Sequence, residues 1–144
     1  WFNNKIITGC CENGNLYVLD DNYYKEDFDS EHSLPLYRVR QTPVITADYK
    51  PFVLYQLSLE CNAGSIENYG KLSKALLQMS NDGGYTFGNV IDESLGERGQ
   101  YSARLSWLNL GMTRQCVLKV MFSEDSDFVI SDANLRFSIL NTPI

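Results

Sequence analysis

The 144-residue chain carries twelve basic and eighteen acidic residues, a net charge of −6, which argues against direct nucleic-acid binding because phosphate recognition needs clustered Lys and Arg. Apolar residues make up 44% and aromatics 12%, without long Ala/Glu/Leu/Lys runs at helical spacing, a profile that favours strands and excludes a helical bundle. No window approaches the ~20 apolar residues of a membrane-spanning helix, so a soluble protein is expected.

The chain begins Trp1-Phe2-Asn3-Asn4-Lys5. It lacks an initiating Met and the basic start and apolar stretch of a signal peptide, and is read as a piece of a longer protein. Lys5–Cys11 and Leu16–Asp20 flank Glu12-Asn13-Gly14-Asn15, and Asn-Gly between two β-rich runs signals a hairpin. Residues 21 to 33 are acidic and aromatic without a clean period. They read as a surface connector and set an expected boundary between residues 1–33 and a main domain, 34–144.

Strand-like alternation resumes over Leu36–Ile45, where Arg38 and Arg40 share a face that reads as solvated. It continues over Phe52–Cys61, where Val53, Tyr55, Leu57, Leu59 and Cys61 are expected to point one way and Gln56, Ser58 and Glu60 the other. Asn62–Lys71 reads as a loop. Ala75, Leu77 and Met79 share one face of the next strand, which ends at Ser80. Tyr101, Ala103, Leu105 and Trp107 alternate with polar residues in a strand expected to stop at Asn109-Leu110-Gly111. Cys116, Leu118, Val120 and Phe122 form an inner face, a polar turn covers 123 to 127, and Phe128–Ile130 and Leu135–Ile139 close the chain. Roughly eight to ten short strands with regular turn signals mean an all-β, antiparallel sandwich or barrel, with no helix beyond a turn or two and no internal repeat.

Ser80-x-Asp82-x-Gly84-x-Thr86-Phe87 matches the Asp-box pattern with Phe in place of Trp. Its physics is local, since short polar side chains bond the backbone of a tight turn, Gly supplies positive φ, and the aromatic pins the turn to the sheet. The pattern recurs in sialidases and other glycan-processing propellers, where it stands away from the catalytic centre, so the structural reading outweighs the catalytic one.

Glycosidase chemistry would need two carboxylates across a cleft. Asp92, Glu93 and Glu97 lie in a Gly-rich turn region, while Glu124, Asp125 and Asp127 lie in a polar turn without EF-hand spacing. His32 is the sole histidine and has no nucleophile elbow nearby. Cys10, Cys11, Cys61 and Cys116 lack zinc-site spacing and are expected to be reduced thiols, with a disulfide between two of them as the competing reading. No catalytic residue, metal site or cofactor is expected.

From Met79 to Leu135 the order of signatures resembles the C-terminal region of the packaged-DNA stabilisation protein, the tail hub of short-tailed bacteriophages. The residues that carry it are the box at Ser80–Phe87, then Leu95-Gly96-Glu97-Arg98-Gly99-Gln100-Tyr101, then Arg104 ahead of Trp107-Leu108-Asn109-Leu110-Gly111, then Val117–Val120. Asn81, Phe87 and Asn109 depart from the family's usual Asp, Trp and Arg. Upstream, Gly14–Asp20 looks like the family's last propeller-type hairpin.

The resemblance implies a jelly-roll-like sandwich following a propeller-type body, in a ring hub of six copies. Such a hub sits below portal and connector proteins, attaches the tail needle and tailspikes, plugs the exit so that packaged DNA stays inside, and resides in the virion tail after assembly in host cytoplasm. It implies no enzymatic activity, no direct nucleic-acid contact and no membrane in the assembled state. Tyr23, Tyr24, Phe28 and Tyr69 are the candidate interface anchors, because Tyr on exposed loops often nucleates contacts. A carbohydrate-binding or glycan-processing β-module is the alternative function, and a secreted adhesin domain a third.

Overall fold

A computed structural model of the chain describes residues 2–11, 14–20, 23, 25–27, 33–63, 73–95, 102–123 and 128–140. Two compact units emerge, Trp1–Leu36 and Tyr37–Ile144. Every element is a strand among the described residues, and no helix is long and apolar enough to cross a membrane.

In the first unit, Phe2 and Lys5 bridge across Asn3 and Asn4, both at positive φ, as tight two-residue turns require. Strands β1 (Ile6–Gly9) and β2 (Leu16–Leu19) then pair antiparallel from Ile6 opposite Leu19 to Gly9 opposite Leu16, and the Cys10 N–H donates to the Asn15 carbonyl at 2.9 Å. A second antiparallel pair joins β3 (Lys25–Asp27) to β4 (Ser33–Pro35). Ile6, Ile7, Leu16, Val18 and Leu19 are all exposed. Two-stranded ribbons offer no interior in which to hide such side chains.

The second unit is a β-sandwich. Its first sheet contains β7 (Phe52–Ala63), flanked by β10 (Ser102–Thr113) and β12 (Phe128–Ile139). The second runs in the order β5 (Arg38–Gln41), β11 (Gln115–Phe122), β8 (Lys74–Ser80) and β9 (Ile91–Ser94), with β6 (Ile45–Thr46) also paired to β11. All pairs are antiparallel. Between the sheets lies one apolar cluster that includes Phe52, Leu54, Leu57, Leu59 and Cys61 of β7, Leu105, Trp107 and Leu110 of β10, Ala75 and Leu77 of β8, and Cys116, Leu118, Val120 and Phe122 of β11. Buried side chains of this size each contribute roughly 1.5–3 kcal/mol, so the cluster is what holds the two sheets together.

Three sequence expectations are corrected. Along β7 the buried residues are Phe52, Leu54, Leu57, Leu59 and Cys61, whereas Tyr55 is exposed and Val53 only half-buried. The alternation changes phase because Tyr55 is an extra residue against β12, whose Arg136 and Phe137 pair with Gln56 and Leu54. Strand β10 does not stop at Asn109-Leu110-Gly111 but continues to Thr113 through a bulge. There Asn109 (φ 56°) and Gly111 (φ 99°) take the left-handed backbone that these two residue types tolerate best. The residues that signal a turn are also those that build a bulge.

The run from Leu36 to Ile45 is likewise two strands, interrupted at Thr42-Pro43-Val44. Pro43 has no N–H to give the ladder. Thr42 holds the break in place, its N–H donating to the Leu118 carbonyl (2.9 Å) and its Oγ1 accepting the Leu118 N–H (3.0 Å).

Candidate functional site

The Ser80–Phe87 corner leaves the end of β8. Ser80 is buried, and its hydroxyl donates to Asp82 Oδ1 at 2.6 Å while accepting the Gly84 N–H at 2.9 Å. Asp82 in turn accepts the Tyr85 N–H (3.0 Å), the Thr86 N–H (3.0 Å) and the Thr86 hydroxyl (2.6 Å). Gly83 and Gly84 make the turn at φ 83° and 100°. The base of the corner closes where the Gly88 N–H donates to the Met79 carbonyl (2.9 Å) and Gln78 Nε2 donates to the Gly88 carbonyl (3.0 Å). Phe87 lies under Lys119, whose Nζ is 3.8 Å from the ring centroid, so a cation–π contact ties the corner to β11.

The hydroxyls of Ser80 and Thr86, joined by the Thr86 and Tyr85 N–H groups, hold the Asp82 carboxyl well below the usual carboxylate range. A general acid or base works best when its pKa lies near the working pH. Asp82 is thus committed to accepting hydrogen bonds, and the corner is suited to holding shape.

Of the proposed interface residues, Tyr23 is exposed (69%), while Tyr24, Phe28 and Tyr69 lie outside the described residues. So do His32, Glu97, Glu124, Asp125 and Asp127. Asp92 is ion-paired with Lys74 at 2.5 Å on the surface, and each shifts the other toward its charged form. Among the described residues no group of His, Cys, Asp and Glu is placed to hold a metal. None of the four cysteines is in a disulfide, and burial pushes the Cys61 and Cys116 thiols up to about 11.

Two features escaped the sequence reading. Tyr49 and Tyr85 stand at turn tips, 81% and 91% exposed, and a tyrosine inside a turn was the available signal. The second is the side of β5 that Arg38 and Arg40 occupy: Arg40 is exposed and Arg38 partly so, as a solvated pair should be, yet they stand opposite buried Phe122 and Val120 and so lie on the core-facing side of the strand. The Arg38 guanidinium sits 4.5 Å from the Phe122 ring centroid. The two arginines line a cleft of about 450 Å³ with Val39, Val120, Phe122, Phe128, Val129 and Ile130, on the side of the sandwich where β5 faces β12. Edge position explains it, since a core-facing side chain on an outermost strand can reach past the core to water.

A search of curated proteins finds no match to the chain. The family described as Bacteriophage P22 Gp10, beta-sandwich, matches residues 37–138, more than two-thirds of the chain and nearly the whole second unit. The two-sheet packing, the all-antiparallel pairing and this match agree, and the chain belongs to the packaged-DNA stabilisation (tail-hub) family of short-tailed phages, as a structural β-sandwich of the virion tail.

Proposed function

We propose that this sandwich is the part of the hub through which the portal is closed, packaged DNA is retained, and the tail needle and tailspikes are attached. The observation that carries this reading is the family match over 37–138, which coincides with a core-bearing sandwich. A plug under genome pressure needs a rigid body, and a continuous apolar core between two antiparallel sheets supplies one. The Ser80–Phe87 corner supports the reading, because Asp82 is consumed by hydrogen bonds that hold the turn in shape. In this reading the hub acts as a ring of identical subunits, six in number, assembled in the host cytoplasm on portal and connector proteins. It works without a cofactor, without enzymatic turnover and without contacting DNA or membrane. Residues 1–33 are then the end of a preceding propeller-type body and its connector, and 34–144 the sandwich domain.

The test supplies the full-length hub protein to purified portal–connector complexes, then adds needle and tailspike. Co-sedimentation, with DNA retained in particles that otherwise leak, is the expected result. Absence of co-sedimentation together with saturable binding of host polysaccharide would replace this reading with the carbohydrate-module one.

A further inference from the structure

The two edges of the second sheet differ in charge. Register places Arg38 in a row with Phe122, Ala75 and Glu93, and Arg40 in a row with Val120, Leu77 and Ile91. Phe122, Ala75, Val120 and Leu77 are buried, so both rows run along the core-facing side. A row that starts at an arginine on β5 therefore ends at a glutamate on β9. Around Arg38 and Arg40, the β5 edge also exposes Val39 and opens into the cleft floored by Val120, Phe122, Phe128 and Ile130. Along the opposite edge, Val90 and Ile91 are exposed beside Asp92 and Glu93. Asp92 is already paired with Lys74, but neither Arg40 nor Glu93 has an ionic partner among the described residues.

We propose that these edges are the two halves of one head-to-tail contact between copies of this chain, the β9 edge of one copy seating on the β5 edge and cleft of the next. Glu93 meets Arg40, and Val90 and Ile91 cover the apolar cleft floor. This rests on the ring-hub reading and adds which surfaces touch.

Three arguments favour a second copy as the occupant. An acidic edge and a basic edge on the same molecule are complementary only when unlike edges meet; a two-fold contact would set like charge on like. A heterologous contact repeated by rotation closes into a ring, whereas an isologous one stops at a dimer. Strand direction also fits: three successive antiparallel steps from β5 to β9 leave these two strands running oppositely, so neighbours continue the antiparallel order. Arginines pointing inward from an edge strand also discourage indiscriminate strand pairing while still accepting a carboxylate.

Sedimentation velocity of the whole chain over a concentration series, at about 50 and about 500 mM salt, tests this. Concentration-dependent association, weakened by salt, is expected for the wild type. Arg40→Glu and Glu93→Arg should each weaken it about tenfold, and the R40E/E93R double variant should recover most of the loss. Circular dichroism checks folding; if a reversal misfolds, Arg40→Gln and Glu93→Gln replace it, with a loss of about threefold expected. The proposal is overturned if the wild type is monomeric throughout, if the single variants associate like wild type because the arginines only guard the edge, or if the double variant shows no recovery. Should the reversed variants still enter rings on the portal–connector complex, the hub reading stands and this contact falls. Intact, charge-dependent association without portal co-sedimentation removes the hub reading and leaves the contact.

Discussion

The sandwich has two lateral sides built to different plans. Where β9 lies beside β10, Trp107 is 1% exposed and its indole donates to the Ile91 carbonyl at 3.1 Å, while Leu95, 1% exposed, packs into the same core. One large side chain thereby fills space and ties the β9 backbone to β10 at once. On the opposite side β5 and β12 leave a cleft, with Phe128 and Ile130 half-buried and Phe128 stacked on Phe122 at 4.4 Å. On the closed side the core is sealed within one molecule, although Val90 and Ile91 at the β9 edge stay exposed. The open side keeps apolar surface next to guanidinium groups, an arrangement that costs little while solvated and is available to a partner.

The largest expected effect tests the closed side. Trp107→Ala removes a fully buried ring and its hydrogen bond to the Ile91 carbonyl, and a loss of about 3–5 kcal/mol is expected in a urea melt. Phe128→Ala, on the open side, should cost only about 1–2 kcal/mol because that ring is only partly buried. Equal losses for the two variants would erase the distinction. Next in size, Gly111→Ala should cost about 1–2 kcal/mol: the added methyl meets no atom within 4 Å, so the penalty is that of φ 99° alone. A neutral result would show that the β10 bulge relaxes freely.

The Ser80–Phe87 corner, which leads into β9, gives a pH signature. Asp82 gains its hydroxyl and N–H donors on folding, so its folded pKa lies below the ordinary 3.8. The stability this contributes is complete above that ordinary value and is lost as pH falls through the lower, folded one. Thermal melts taken from about pH 5 to about pH 2 should show Asp82→Asn losing less on acidification than the wild type, from a lower starting point. A parallel acid dependence for the two proteins would mean that Asp82 is not held as described. The smallest effect belongs to the outer face of the first sheet, where Arg104 pairs with Glu60 across the β10–β7 register. Both are substantially exposed, and Arg104→Ala should change stability by no more than about 0.5 kcal/mol.

Strand content and fold class were legible because alternation and turn residues are local signals: Cys116, Leu118, Val120 and Phe122 repeat every second residue and are all buried. The hydrogen bonds of the Ser80–Phe87 corner join residues two to four apart, which a spacing pattern can carry. Long-range placement was not legible. Tyr55 was assigned to the wrong face because the bulge that shifts its strand is defined by a partner some eighty residues away. Arg38 and Arg40 looked like any solvated pair, since nothing local says that β5 is an edge whose inner side faces β12.

By itself, the order of residues determined an antiparallel all-β protein, the Ser80–Phe87 corner and its family, because each depends on backbone preferences within a few residues or on a motif in series. Tertiary structure alone decided which strands became edges, where the register slips, and that a basic edge and an acidic edge close the same sheet. Those outcomes arise from pairing between distant segments, where the neighbouring strand, not the local sequence, sets the direction in which each side chain points.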